Sequence, residues 1–474
     1  METMSGSPYD LLPELLLVGG AVLALLVGLW SPQHRQRRAR VVAAAAALAA
    51  AAATVPALTG PGRAVYGDTW MIDEITGVVR ITVALATAAV VLLATSSLAG
   101  HPRETEAYVL MLLGATGTIA LAAARDLLML VPAYLLASVP LYALAGFRKD
   151  DRGVEATLKY YLMGAFAGVL MLVGIAALVL AAGGSGYDLL ATRLPDAAVP
   201  LIAVGVIGLL AGLGFKAGAV PLHFWVPDVS AGTTPAMGAF ILTVPKLGAV
   251  AAAFRLLVGP FAGASLDAAL VVAIVSALSM TLGNLAAFQQ SEVLRLLGYS
   301  TISQVGYLFM VVAVAGRSAL AAPALAVYLA GYAVTNVGAF AAAAALPRAR
   351  TLDDWAAAAR GRPWLVGSLV VLLLGLVGTP PTAVFVGKLA VFTATADGSY
   401  GWLLVLAAVN SVASLFYYLR WFGPAVRATA RPRAERAPSR AGVATAPMAA
   451  TYAAAAVSLA VGAGAGLWLA LVST

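Results

Sequence analysis

The sequence predicts an all-α polytopic membrane protein with about fourteen transmembrane helices, arranged as two inverted five-helix repeats that each contain a discontinuous helix. Three observations predict it. Of 474 residues, 62% are hydrophobic and only 11% charged, with a mean hydropathy of +0.93, whereas a soluble domain is about 45–50% apolar and about 25% charged. Apolar runs long enough to cross a bilayer recur between charge and Gly/Pro clusters along the whole chain. Two of those runs are broken by Gly and Pro at corresponding places, a pattern found in transporters built from inverted repeats.

The runs fall at 11–30, 39–58, 75–99, 106–124, 126–147, 158–183, 198–220, 235–258, 266–287, 294–315, 321–346, 364–396, 400–424 and 443–471. The first follows METMSGSPYDLLPE, which is acidic rather than basic, so a retained helix is expected in place of a cleaved signal peptide. The second contains a low-complexity alanine tract, read as an Ala-rich membrane helix. The seventh spills through Gly218 and Pro221 to Trp225. The twelfth is too long for one straight span and holds Thr379-Pro380-Pro381. These two are the discontinuous helices. The organisation expected is N-terminal helices in 1–105, five-helix units in 106–258 and 266–424, a solvated Arg/Pro-rich linker in 425–442, and a C-terminal helix in 443–474.

The net charge of +8 is a topology signal, and no nucleic-acid partner is implied. With alternating loops, 19 Arg and Lys residues fall on one side, among them Arg35, Arg37, Arg148, Arg295 and Arg360, and 5 on the other: Arg63, Arg125, Arg193, Arg255 and Arg317. The positive-inside rule then places both termini outside. The absence of cysteine excludes disulfides, thiolate-held iron–sulfur clusters and cysteine nucleophiles. Of three histidines, His34 and His101 lie in charged loop sequence, which leaves no pair to hold a haem. No cofactor is expected in this chain.

Three lysines carry the chemistry. Lys246 lies mid-run in Leu242-Thr243-Val244-Pro245-Lys246, while Lys216 and Lys388 sit beside the two breaks. A basic side chain at the bilayer centre costs roughly 2.5–3.5 kcal/mol on insertion scales, so three of them need a reason. The chain holds 24 Arg and 5 Lys, yet these deep positions are all Lys. Arginine cannot release its proton in a protein, whereas a buried lysine can. The alternative is that the lysines only satisfy carbonyls freed by the breaks. Ser138, Thr243, Ser279, Thr281, Asn284, Ser300, Thr301, Ser303, Gln304, Asn336 and Asn410 are candidates for a hydrated axis or for ordinary helix–helix bonding. His223, in PLHFWVPD, is either a proton relay or an interfacial residue of an aromatic belt. Arg80 and Lys159, near helix ends, are expected to snorkel to the interface.

Segment 214–246, GFKAGAVPLHFWVPDVSAGTTPAMGAFILTVPK, resembles the signature region of the antiporter-like membrane subunits of respiratory complex I, nearest in wording to the subunit N branch. Further support comes from LYALAGF at 141–147, EATLKYYLMGAFAG at 155–168, SMTLGNLAAFQQSEVLRLLGYSTISQVGY at 279–307, YAVTNVGAF at 332–340 and GTPPTAVFVGK at 378–388. The resemblance implies a proton-translocating subunit of a bacterial cell-membrane NADH:quinone oxidoreductase, partnered by other membrane-arm subunits. FMN, iron–sulfur clusters, NADH and quinone would belong to those partners. It implies Lys216 as the central protonatable site, Lys246 as a relay between half-channels, Lys388 as the exit-side site and His223 as a member of the relay. Two positions depart from the pattern. Leu135 stands where the family usually carries a glutamate on the fifth helix, and Gln304 where the tenth helix often has histidine. Two other readings stay open: a subunit of an Mrp-type cation/proton antiporter, and a non-pumping structural paralogue.

Overall fold

A bilayer offers no partner for backbone N–H and C=O groups, so each span must satisfy them internally, and the apolar runs become helices. The structure is a computed structural model that describes residues 6–430 and 444–472. In chain order its helices are α1 (Leu12–Leu29), α2 (Arg37–Thr54), α3 (Glu74–Leu93), α4 (Thr95–Leu98), α5 (Glu104–Ala123), α6 (Leu127–Leu136), α7 (Val139–Ala145), α8 (Asp151–Ala182), α9 (Tyr187–Arg193), α10 (Val199–Ala217), α11 (Trp225–Gly232), α12 (Pro235–Val258), α13 (Ala268–Ala287), α14 (Val293–Ala313), α15 (Ala321–Ala345), α16 (Leu352–Ala358), α17 (Pro363–Val377), α18 (Ala383–Asp397), α19 (Gly401–Ala430) and α20 (Thr445–Val472).

Among the described residues, 12 helical spans are long and apolar enough to cross a membrane, with α6 and α7 forming one of them. The difference from the sequence expectation has a simple source. The first turn of α2 carries Arg37, Arg38 and Arg40, and the twelfth run is split into α17 and α18. Most of linker 425–442 lies outside the described residues, and its first part, to Ala430, continues α19.

Burial ranks the helices. The apolar windows of α12 and α14 are 89% and 94% inside the bundle, whereas those of α8 and α20 are 39% and 17%. The first pair forms the central axis and the second its rim.

Ion pairs sort the loops into two ends. Arg40–Glu104, Arg152–Glu292, Lys159–Asp228 and Arg295–Asp228 join segments at the arginine-rich end. Arg63–Asp10, Arg125–Asp188, Arg255–Asp73 and Arg317–Asp267 join segments at the other. Each pair respects the alternation that the charge count predicts.

Several sequence expectations need correction. A two-stranded antiparallel hairpin, β1 (Arg63–Val65) and β2 (Trp70–Ile72), caps the end near α3 in an otherwise helical chain. Arg80 does not snorkel: it is 2% exposed, and its Nε and Nη2 donate to the Glu14 carboxylate at 2.7 and 3.0 Å. The run 126–147 is not one helix. It is interrupted at Ala137–Ser138, between α6 and α7.

Candidate functional site

The two anticipated breaks are built alike. Gly218 ends α10 and Gly378 ends α17, each in the left-handed region, with φ of +78° and +95°. In each case a cis X-Pro bond follows, Val220-Pro221 or Pro380-Pro381, giving the shared pattern Gly-x-x-Pro. Glycine is required at these two places because L side chains avoid that conformation and the space is taken. A Cβ on Gly378 would lie 2.8 Å from Lys388 Cδ, and one on Gly218 2.7 Å from Val226 Cγ2.

Lys388, on α18, is 3% exposed. In an unbroken helix the carbonyls of Leu376 and Val377 would accept from the backbone N–H groups of residues 380 and 381. Both are proline and have none. Lys388 Nζ donates to those two carbonyls at 3.1 and 3.0 Å and to Ser411 Oγ at 3.4 Å, and lies 3.8 Å from the Tyr307 ring centroid. Gln304 Nε2, on α14, donates to the same Leu376 carbonyl at 2.9 Å.

Lys216, near the end of α10, is fully buried. It does not bond the carbonyls of its own break. Its Nζ donates to the Ala137 carbonyl at 3.0 Å and contacts Ser138 Oγ, both at the third break. Ala137 O is free for it because the Leu141 N–H bonds Ser138 O instead. The Tyr134 ring centroid lies 5.0 Å from the ammonium. Leu135, two residues before Ala137, is 51% exposed and sits on the outer face of the bundle.

Lys246 lies on α12, one residue after Pro245, and is fully buried. Its Nζ donates to Thr301 Oγ1 at 3.1 Å, and Thr301 in turn donates to the Gly298 carbonyl at 2.8 Å. The ammonium also faces the first break, since a Cβ on Gly218 would lie 3.3 Å from it. Thr301, Gln304 and Tyr307 recur at three-residue spacing along one face of α14. That face touches Lys246 at one end and Lys388 at the other.

The three lysines are thus brought to one buried row, and among the described residues no carboxylate lies within ion-pair distance of any of them. Each ammonium is held by neutral groups. Where Lys216 and Lys388 sit, the acceptors are carbonyls at helix C-termini, whose dipoles carry partial negative charge. His223 stands apart: it is half-buried in the turn before α11, its ring 4.4 Å from that of Phe224 and tilted to it by 31°, and among the described residues no hydrogen bond joins it to a lysine.

Of the polar residues singled out in the sequence, all are buried except Thr281, which is half-buried. Several are bonded within their own helix, as in Ser138→Tyr134 O and Ser279→Val275 O. Others cross between helices, as in Asn336→Thr243 and Asn284→Asn410. Sequence reasoning missed Tyr307 and Ser411 beside Lys388. The available signal was the three-residue spacing from Gln304 to Tyr307 within GYSTISQVGY.

Comparison with known proteins places the chain in a family. A family described as NADH:quinone oxidoreductase/Mrp antiporter, TM, matches residues 124–414. The chain is 50% identical over 425 residues to NADH-quinone oxidoreductase subunit N 1 of Streptomyces griseus, covering 90% of each chain. It is 44% identical over 418 residues to NADH-quinone oxidoreductase subunit N of Mycobacterium sp. (strain JLS), covering 88% of this chain and 89% of that one. A chain of respiratory complex I from Thermus thermophilus with bound aureothin superposes with a TM-score of 0.80 at 33% identity, over 96% of this chain and 98% of that one. This chain therefore belongs to the NADH:quinone oxidoreductase/Mrp antiporter membrane family and, within it, to the NADH-quinone oxidoreductase subunit N group.

Proposed function

We propose that this chain is a membrane-arm subunit of a bacterial proton-pumping NADH:quinone oxidoreductase and translocates protons through Lys216, Lys246 and Lys388. NADH oxidation and quinone reduction take place in other subunits, which hold the FMN and iron–sulfur clusters; this chain has no cysteine to ligate a cluster. The observation that carries the reading is the row of buried lysines, Lys216 and Lys388 bonded to carbonyls at helix breaks and Lys246, inside α12, bonded to Thr301, each held by neutral acceptors. A lysine with a fixed carboxylate partner strands a buried anion when it deprotonates, at a large desolvation cost. A lysine held by carbonyls and hydroxyls strands nothing charged, and can lose and regain its proton as its surroundings change.

In this scheme Lys216 is the central site and Lys246 passes protons towards the α14 face. Lys388 releases them, and His223 serves the approach from the arginine-rich end. That end faces the cytoplasm, and both termini face outside. The shared Gly-x-x-Pro breaks support five-helix units in 106–258 and 266–424, related by inversion.

A second reading, a non-pumping paralogue, draws on Leu135 in place of the family's glutamate. The two are separated by affinity purification in mild detergent, followed by NADH:quinone activity and proton uptake in vesicles. Flavin and iron–sulfur subunits with coupled proton translocation support the proposal. Redox activity with no pumping contribution from this chain supports the paralogue. Small antiporter partners without redox subunits would instead place it among Mrp-type assemblies.

A further inference from the structure

The Lys388 ammonium makes the shorter of the two lysine–aromatic contacts in the buried row. The Tyr307 ring centroid is 3.8 Å away, against 5.0 Å for Tyr134 at Lys216. An aromatic ring attracts a cation through its quadrupole and does nothing comparable for a neutral amine. The ring is also held in place. Tyr307 is fully buried, its hydroxyl donates to the Ala407 carbonyl at 3.3 Å, and Ser411 Oγ donates to that hydroxyl at 3.0 Å. Ser411 Oγ is in turn an acceptor for Lys388 Nζ at 3.4 Å. Ser411 on α19 therefore joins the ring to the ammonium, while Ala407 holds the ring and the Leu376 and Val377 carbonyls hold the ammonium.

The other titratable groups on the helices packed around α18 are phenols and arginines: Arg295 and Tyr299 on α14, Tyr328 and Tyr332 on α15, Tyr417, Tyr418, Arg420 and Arg427 on α19, and Tyr452 on α20. Tyr328 donates to Gln304 Oε1 at 2.7 Å, Tyr332 to the Leu242 carbonyl at 3.1 Å, and Tyr418 shares a hydrogen bond with Ser300 at 2.6 Å. Among the described residues α17 carries no titratable group, and the carboxylate on α18 itself, Asp397, is at its far end. Nothing anionic on these helices competes with the ring for control of the Lys388 charge.

We infer that Tyr307 is a positioning residue that selectively stabilises the protonated form of Lys388 and so sets the pH at which this site gives up its proton. The inference rests on the reading of Lys388 as a proton-exchanging site. The sign follows from the geometry: weakening the quadrupole favours the neutral amine, so release occurs at lower pH.

The test uses the assembled complex in proteoliposomes, with the proton-to-electron ratio measured across pH. Four forms are compared: wild type, Tyr307→Phe, the same position carrying 3,4,5-trifluorophenylalanine, and Lys388→Ala. Phenylalanine keeps the ring and its negative face, whereas fluorination removes most of that face at nearly constant volume, so packing is not the variable. The alkaline limb of pumping is expected to stay within a few tenths of a pH unit for Phe. It should move down by about one unit for the fluorinated ring, as a desolvated cation–π contact implies. An unmoved limb with the fluorinated ring, while Lys388→Ala still suppresses pumping, overturns the role of Tyr307 alone. Wild-type pumping in Lys388→Ala overturns the reading of Lys388 itself.

Discussion

Lys216 Nζ lies 3.0 Å from the carbonyl oxygen of Ala137, an acceptor that an unbroken helix would have given to Leu141. The interruption between α6 and α7 thus supplies Lys216 with a neutral backbone acceptor. The same principle operates at Lys388, where two consecutive prolines leave two carbonyls without donors. In both places a cation meets the negative end of a helix dipole, and no carboxylate is needed.

This arrangement makes Leu135 a test of position. Its side chain is 51% exposed on the outer face of the bundle, while Lys216 bonds inward at residues 137 and 138. Leu135→Glu is expected to leave the pH profile of pumping unchanged and to lower the yield of assembled complex, because a carboxylate on an apolar membrane face is costly. A shifted pH profile, measured by proton uptake at several pH values, would show that position 135 reaches Lys216 after all.

The breaks themselves depend on glycine. Gly378→Ala places a Cβ against Lys388 Cδ at 2.8 Å and forces a left-handed conformation on an L residue, at a cost of roughly 1–2 kcal/mol before any clash. Thermal unfolding in detergent should show lower stability, with pumping reduced more than quinone reduction. Wild-type values of both would mean that the turn can be rebuilt without glycine.

At the end opposite the arginine-rich loops, Asp73 caps α3 and receives two hydrogen bonds from Arg255. Burial pushes its carboxyl up, but the hydrogen bonds and charge of Arg255, with bonds from Thr76, more than offset that and hold it below the ordinary carboxylate value. A carboxyl lowered in the folded state contributes stability above its unfolded value, near pH 4, and loses it as pH falls through the lower folded value. Asp73→Asn should destabilise the chain by on the order of 3 kcal/mol at neutral pH, since it leaves Arg255 without its counter-charge. The difference from wild type should shrink in strongly acidic buffer. A pH-independent difference would remove the ion pair as the cause.

How much was legible in the sequence follows from which signals are local. Hydropathy and loop arginines gave the helical runs and their alternation, because a membrane imposes both constraints on the chain directly. The Gly-x-x-Pro breaks were legible because Gly218, Pro221, Gly378 and Pro381 cannot be ordinary helix interior. The break at Ala137–Ser138 has no glycine, and the apolar run 126–147 continues through it without a charged residue to mark it. Arg80 pairs with Glu14 across 66 residues, and no periodicity reports such a distance. The lysines were found by residue type and depth, whereas their acceptors are backbone carbonyls and side chains of other helices, which only the fold brings together.

The central claim is that the lysine row moves protons, and Lys216 offers the most direct measurement. Lys216→Arg keeps a positive charge but fixes it, since guanidinium does not release its proton in a protein; Lys216→Ala removes it. The quantity to measure is the proton-to-electron ratio of the purified, reconstituted complex, alongside its NADH:quinone activity and subunit composition. The account predicts an intact complex with a lowered ratio in both variants. An unchanged ratio in a correctly assembled complex would contradict it and leave the lysines as structural partners of broken helices.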